Sequence, residues 1–170
     1  MSITDLGSIS ERRTFKMLDA NHNEGLPAFL TRPEIAGFNS GFMIAQYTAA
    51  ALVAENKAFS HPVSVDSIPT SANQEDHVSF APIAARKAES IINNLENILA
   101  IELLCATQAA DFRLPLRLGR GTQEAYAIVR KSVMRLDNDR ILYTDIEKIR
   151  TLINEDDVKE SVENIIGALK

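Results

Sequence analysis

The chain has 170 residues, enough for one domain with a real core, and its formal net charge of −5 argues against a general nucleic-acid role. Hydrophobic residues make up 45% and charged residues 24%, as in an ordinary globular protein. Aromatics are only 6%, Trp is absent and Ala and Ile are plentiful, which favours closely packed helices over a β-sandwich.

The N-terminal run MSITDLGSISERR is polar and mixed in charge, with no secretory signal, so a cytoplasmic location is expected. Thr4 to Asp19 reads as a helix capped by Thr4, with Leu6, Ile9, Phe15 and Leu18 as its apolar face. Glu11, Arg12 and Arg13 fall on its polar side or pair with another element. From Ala20 to Phe38, Asn21, Asn23, Gly25, Pro27 and Pro33 break any regular period. Leu26, Phe29 and Leu30 in that stretch are expected to fold back onto the core.

Ser40 to Lys57 is helical in pattern and apolar nearly all round, through Phe42, Met43, Ile44, Tyr47, Leu52 and Val53 with alanines between. Such a helix is central in a bundle or buried by other subunits. Its apolar run is shorter than the ~20 residues that cross a bilayer, so no membrane role is expected. A polar loop, SHPVSVDSIPTSANQEDH, follows from Ser60 to His77, where Pro62 and Pro69 forbid a continuous helix. Gln74, Glu75, Asp76 and His77 stand at its end. An acid, amide and imidazole cluster between two rigid elements suits a site, and the same residue types also serve as turns and caps.

The next helical pattern runs from about Asp76 to Phe112, with Pro82 tolerable only near its start. Ala84, Ala88, Ile91, Leu95, Ile98, Cys105, Ala109 and Phe112 form one stripe, and Ile92, Leu99, Leu103, Ala106 and Ala110 a second. A helix of this length reaches on the order of 50 Å. A compact monomer of this size has a radius of gyration of only about 15 Å. The projecting apolar stripe therefore predicts a homo-oligomer. Glu102 interrupts the stripe; it could line a site, and the favoured expectation is that it pairs with an Arg of a neighbouring helix and fixes register. Cys105, the single cysteine, excludes an intramolecular disulfide and reads as a small buried residue.

Leu114 to Gly121 is a connector made basic by Arg113, Arg117 and Arg120. Three shorter helices close the chain: one capped by Thr122 and reaching about Met134; one opened by a Thr144–Glu147 capping box; and one starting at Asp156 or Asp157. The fold class expected is all-α, a single helical domain over residues 1–170.

Known catalytic devices are missing from these patterns: no phosphate-binding glycine loop, no zinc spacing and no nucleophile elbow. His22, His61 and His77 share no ligand spacing, so no metal site is expected. Asn39-Ser40-Gly41 has the form of a triplet that cyclises in some proteins, yet it precedes an apolar helix and reads more simply as caps. Glu75 remains, a carboxylate able to act as acid or base if its pKa is tuned. A lone acid without an electrophile does not account for removal of an unactivated proton.

The runs GFMIAQYTAAALVAENK (41–57) and HPVSVDSIPTSANQEDHVS (61–79) closely resemble the histidine ammonia-lyase family. So do DLGSISERR (5–13), GLPAFL (25–30), IAARKA (83–88) and AIELL (100–104). The resemblance covers nearly the whole chain and points to the C-terminal portion of such an enzyme. It implies an all-α bundle of long helices that forms an oligomer core. It also implies that the family's methylidene-imidazolone electrophile, the catalytic tyrosine and the main substrate ligands belong to an N-terminal portion not represented here. Asn39-Ser40-Gly41 matches a different family segment from the cyclising triplet. Of the family's active-site positions, Glu75 is the clear match, near the substrate imidazole or as acid/base, with Gln74 supporting it. The implied reaction is conversion of L-histidine to urocanate and ammonia, with a complementary N-terminal chain as partner. The alternative is a non-catalytic, self-associating helical protein, a remnant or regulator of a full-length lyase.

Overall fold

The computed structural model describes residues 1–169. Among the described residues six helices follow one another: α1 (Ser2–Leu18), α2 (Met43–Phe59), α3 (Ala81–Asp111), α4 (Arg120–Ser132), α5 (Tyr143–Asn154) and α6 (Asp157–Ile166). Short 3₁₀ turns occupy Ala28–Leu30, Pro33–Ile35 and Ser71–Asn73. No strand occurs among the described residues, so the fold is all-α, as expected.

Helix α3 is the axis. Its 31 residues extend about 46 Å at the α-helical rise. Pro82, its second residue, needs no intrahelical N–H partner there and sets φ for the first turn. Against α3 lie α1, α2 and α5, while α6 packs on α4. The buried centre is built from Leu30, Phe42, Ala49, Ile101, Leu104, Cys105, Val129 and Ile149. Toward its N-terminus α3 loses this cover: Ala84 and Ala88 are exposed, and burial begins at Ile91.

Helix α1 is turned opposite to the expected way. It buries Thr4, Gly7, Ser10, Glu11 and Thr14 and leaves Leu6, Ile9 and Phe15 exposed; only Leu18 of the expected apolar face is inside. The reason is the set of partners on α2, on the residue that caps its C-terminus and on α3. Thr4 Oγ1 lies 2.6 Å from Ser60 Oγ, Gln46 Nε2 donates to Glu11 at 2.6 Å, and Ser10 donates to Glu102 at 2.6 Å. Gly7 lets α1 come close, since a Cβ there would stand 3.3 Å from Ile98 Cδ1. Thr4 is thus inside the helix rather than its cap, and Glu11 is buried rather than solvated. Glu102 pairs with Arg13 at 2.7 Å, the inter-helix link expected of it.

Helix α2 is also one-sided. Ala45, Ala49, Val53 and Asn56 face inward, whereas Ile44 and Tyr47 are 59% and 63% exposed. Two further caps differ from expectation. The Thr144–Glu147 box does not form; α5 begins at Tyr143, and the Thr144 hydroxyl donates back to Ile141 O at 3.4 Å. Helix α4 begins at Arg120, and Thr122 donates to Gly119 O at 3.0 Å instead of capping. In the connector Arg113 clamps the carbonyls of Asn23 and Glu24, and Arg120 the carbonyl of Ile165. These two arginines thus serve loop packing.

Candidate functional site

The loop from residue 60 to residue 80 carries Gln74 and Glu75. The Ser67 hydroxyl ties its two arms, accepting from Val78 N at 2.8 Å and donating to Val78 O at 3.2 Å. The Lys87 ammonium donates to His61 O and fixes the first arm to α3. Helix α3 starts at Ala81, later than the sequence pattern suggests. Residues 74–77 therefore lie wholly in the loop, not at a helix junction.

Glu75 sits at the end of an unusual turn. Ser71, Ala72 and Asn73 all have positive φ, at +51°, +51° and +73°. Left-handed backbone of this kind costs roughly 1–3 kcal/mol per non-glycine residue, and it persists where surrounding bonds hold it. Here Thr70 N donates to Glu75 O at 3.0 Å and Glu75 N returns to Thr70 O at 3.4 Å. The Thr70 hydroxyl donates to Glu75 Oε2 at 3.1 Å. Hydroxyls of Ser71 and, next, Thr70 hold the Glu75 carboxyl below the usual carboxylate range. The side chain is exposed, so solvent also favours its charged form. Gln74 precedes it, its backbone N–H donating to Ser71 O at 3.0 Å.

Beside the turn, a cavity of about 400 Å³ is lined by Ser64, Asp66, His77 and Phe80 among others. Glu75 and Gln74 are not part of its wall. His22 is far in sequence and bonded to Asp19 at 2.6 Å. Cys105 is fully buried, and desolvation followed by the charge of Glu102 pushes its thiol pKa up, which removes it as a nucleophile.

Thr70 and Ser71 were not legible as partners of Glu75, because polar residues of this kind in a loop read as ordinary turn and capping residues. Nor was the role of Asp139 legible. Its carboxylate accepts from Ser40 N at 2.7 Å and Gly41 N at 2.9 Å, and Asp139 N donates to Asn39 Oδ1 at 2.5 Å. Gly41 has φ +55°, and a Cβ there would collide with Phe29 O and the Thr31 hydroxyl. The triplet Asn39-Ser40-Gly41 is thus a clamped helix entry. Its Gly nitrogen is directed at Asp139, not at the Asn39 carbonyl, so these residues do not fit a cyclised electrophile.

A family model described as aromatic amino acid lyase matches residues 1–131. The chain belongs to this family. Histidine ammonia-lyase from Natranaerobius thermophilus is 54% identical over 170 residues, covering all of this chain and 33% of that protein. The Deinococcus radiodurans histidine ammonia-lyase is 57% identical over 150 residues, 88% of this chain and 28% of that one. Among solved structures, histidine ammonia-lyase from Trypanosoma cruzi superposes with a TM-score of 0.90 at 45% identity, over 95% of this chain and 31% of that chain. Tyrosine aminomutase from Streptomyces globisporus superposes at 0.89 with 35% identity, over 96% and 31%. The chain thus spans about a third of the length of the curated lyases it matches. A histidine lyase and a tyrosine aminomutase share this helical lyase fold, so backbone shape does not select the substrate.

Proposed function

We propose that this chain supplies the imidazole-receiving part of a histidine ammonia-lyase, which converts L-histidine to urocanate and ammonia. Glu75 is the receiving carboxylate and Gln74 its supporting neighbour. The observation that carries the reading is the Thr70–Glu75 turn, which holds an ionised carboxylate in a fixed place. A carboxylate kept below its usual pKa accepts a hydrogen bond from an imidazole N–H well and takes up a proton poorly. Of the two roles open to Glu75, contact with the substrate ring is therefore favoured over acid/base work. The methylidene-imidazolone electrophile and the other substrate ligands come from lyase polypeptide outside these 170 residues. Together they act in histidine breakdown in the cytoplasm.

The outer faces of α1 and α2 support the need for such a completing polypeptide. Leu6, Ile9, Ile44 and Tyr47 are exposed on helices whose inner faces are already satisfied. Apolar faces of this kind mark interaction sites.

The test is complementation. The chain is mixed with the part of the Natranaerobius thermophilus enzyme that has no counterpart in it, and urocanate is followed by absorbance. Restored deamination is expected, with Glu75→Gln raising KM for histidine by about tenfold or more. An inert mixture, or urocanate made by the chain alone, would overturn the reading.

The same exposed faces also favour a second reading, a self-associating, non-catalytic regulator. It predicts a homo-oligomer by native mass measurement and a changed rate when the chain is titrated into an intact lyase.

A further inference from the structure

We infer that Thr70 is a positioning residue for Glu75, fixing the direction in which its carboxylate presents its oxygens to an incoming imidazole N–H. The inference rests on the reading of Glu75 as the imidazole acceptor.

Three contacts join the two residues. The Thr70 hydroxyl donates to Glu75 Oε2 at 3.1 Å, and their backbones exchange bonds at 3.0 and 3.4 Å. This isolated antiparallel bridge spans only five positions. The chain closes it by running Ser71, Ala72 and Asn73 through left-handed backbone, an arrangement that L-residues adopt only when held. The backbone bridge sets where Glu75 starts, and the hydroxyl sets where its carboxylate ends.

The hydroxyl is the part of Thr70 that this task requires. The β-branch of the residue restricts χ1, so the hydroxyl is aimed before the carboxylate arrives. The Ser71 hydroxyl is the larger influence lowering the pKa of Glu75, and the Thr70 donor on Oε2 adds to it by favouring the ionised form. Orientation and charge are the two properties an imidazole acceptor requires, and Thr70 contributes to both.

The experiment titrates the Glu75 side-chain carboxyl carbon by NMR in the 170-residue chain, with Glu75→Gln identifying the resonance. In Thr70→Val the midpoint is expected to move upward. In Thr70→Ser, which keeps the donor and the bridge, it stays with the unsubstituted chain, even if the valine variant opens the turn. An unmoved midpoint in Thr70→Val, or an upward shift of the same size in Thr70→Ser, overturns the inference. A kinetic arm uses the complemented lyase. Thr70→Val is expected to raise KM for histidine about tenfold with kcat within about twofold, and Thr70→Ser to restore it. A moved midpoint with unchanged KM removes Glu75 from the imidazole but leaves the Thr70–Glu75 coupling standing. An unmoved midpoint in an active complex removes Thr70 and leaves Glu75.

Discussion

Arg13 of α1 and Glu102 of α3 form an ion pair of 2.7 Å whose two ends differ sharply: Arg13 is 71% exposed and Glu102 only 12%. Ser10 donates to the same carboxylate at 2.6 Å. The buried end therefore carries most of the contact. Arg13→Ala is expected to cost less than about 1 kcal/mol, because water and salt screen its side. Glu102→Ala removes the partner of both donors and is expected to cost about 1–3 kcal/mol. Urea unfolding of the two variants measures the asymmetry; equal losses would contradict it.

A second polar cluster joins α3 to α4. Asp111 accepts from the Tyr126 hydroxyl at 2.6 Å and from Arg130 at 2.7 Å, and Arg130 reaches Gln108 Oε1 at 3.3 Å. Asp111→Ala leaves the Arg130 charge without a carboxylate in a largely buried place, and a loss of about 3–5 kcal/mol is expected. Tyr126→Phe keeps the ion pair and is expected to cost about 1 kcal/mol. Its hydrogen bond to Asp111, aided by desolvation, raises the Tyr126 pKa above that of a free phenol. A raised folded-state pKa stabilises the fold below the unfolded value of about 10, and that contribution fades as pH climbs through the folded value. Stability measured from pH 8 to 12 should therefore fall less steeply at its alkaline end in Tyr126→Phe than in the parent chain.

Gly41 combines a left-handed φ of +55° with a crowded surrounding. Gly41→Ala is expected to lose about 2–5 kcal/mol, the sum of left-handed strain and overpacking against Phe29 and Thr31. Asp139→Ala removes the acceptor of two backbone N–H groups at exposed positions and is expected to cost about 1–2 kcal/mol. Thermal unfolding ranks the two, and a neutral Gly41→Ala would show that α2 begins differently.

Leu6 and Ile9 are 49% and 59% exposed on α1. The double substitution Leu6→Asp, Ile9→Asp is expected to change the stability of the isolated chain by no more than about 1 kcal/mol. Binding to the completing lyase polypeptide proposed above is expected to weaken by about 100-fold, read by calorimetry. Intact binding would place that polypeptide on another face.

These particulars show where local pattern suffices. The first α3 stripe is buried at Ile91, Ile98, Cys105 and Ala109 as its period implies, whereas the second stays half-buried and is exposed at Ile92. Helix α5 buries Ile149, with Ile146 and Ile153 half-buried beside it. Glu102 found its arginine. Glu75 was legible through the resemblance of its loop to a family, not through spacing. Thr70 was not legible as its partner, because a left-handed fold-back has no periodic signature. Asp139 was hidden for a simpler reason, since it lies about a hundred positions from the backbone groups it binds.

Sequence by itself determined that the chain is helical, roughly where each helix runs, and that a polar loop bearing Glu75 joins two of them. Those properties follow from steric rules of backbone and from the 3.6-residue period, which act over a few neighbours. Tertiary structure decided which side of α1 faces inward, where α3 begins and how Glu75 is held. The face of α1 depends on partners brought from far along the chain: Ser60, Gln46 and Glu102 outweigh three exposed apolar residues, because buried polar groups need partners whereas exposed apolar ones are tolerated. The hold on Glu75 is local, made by Thr70 five positions away across left-handed backbone that has no periodic signature.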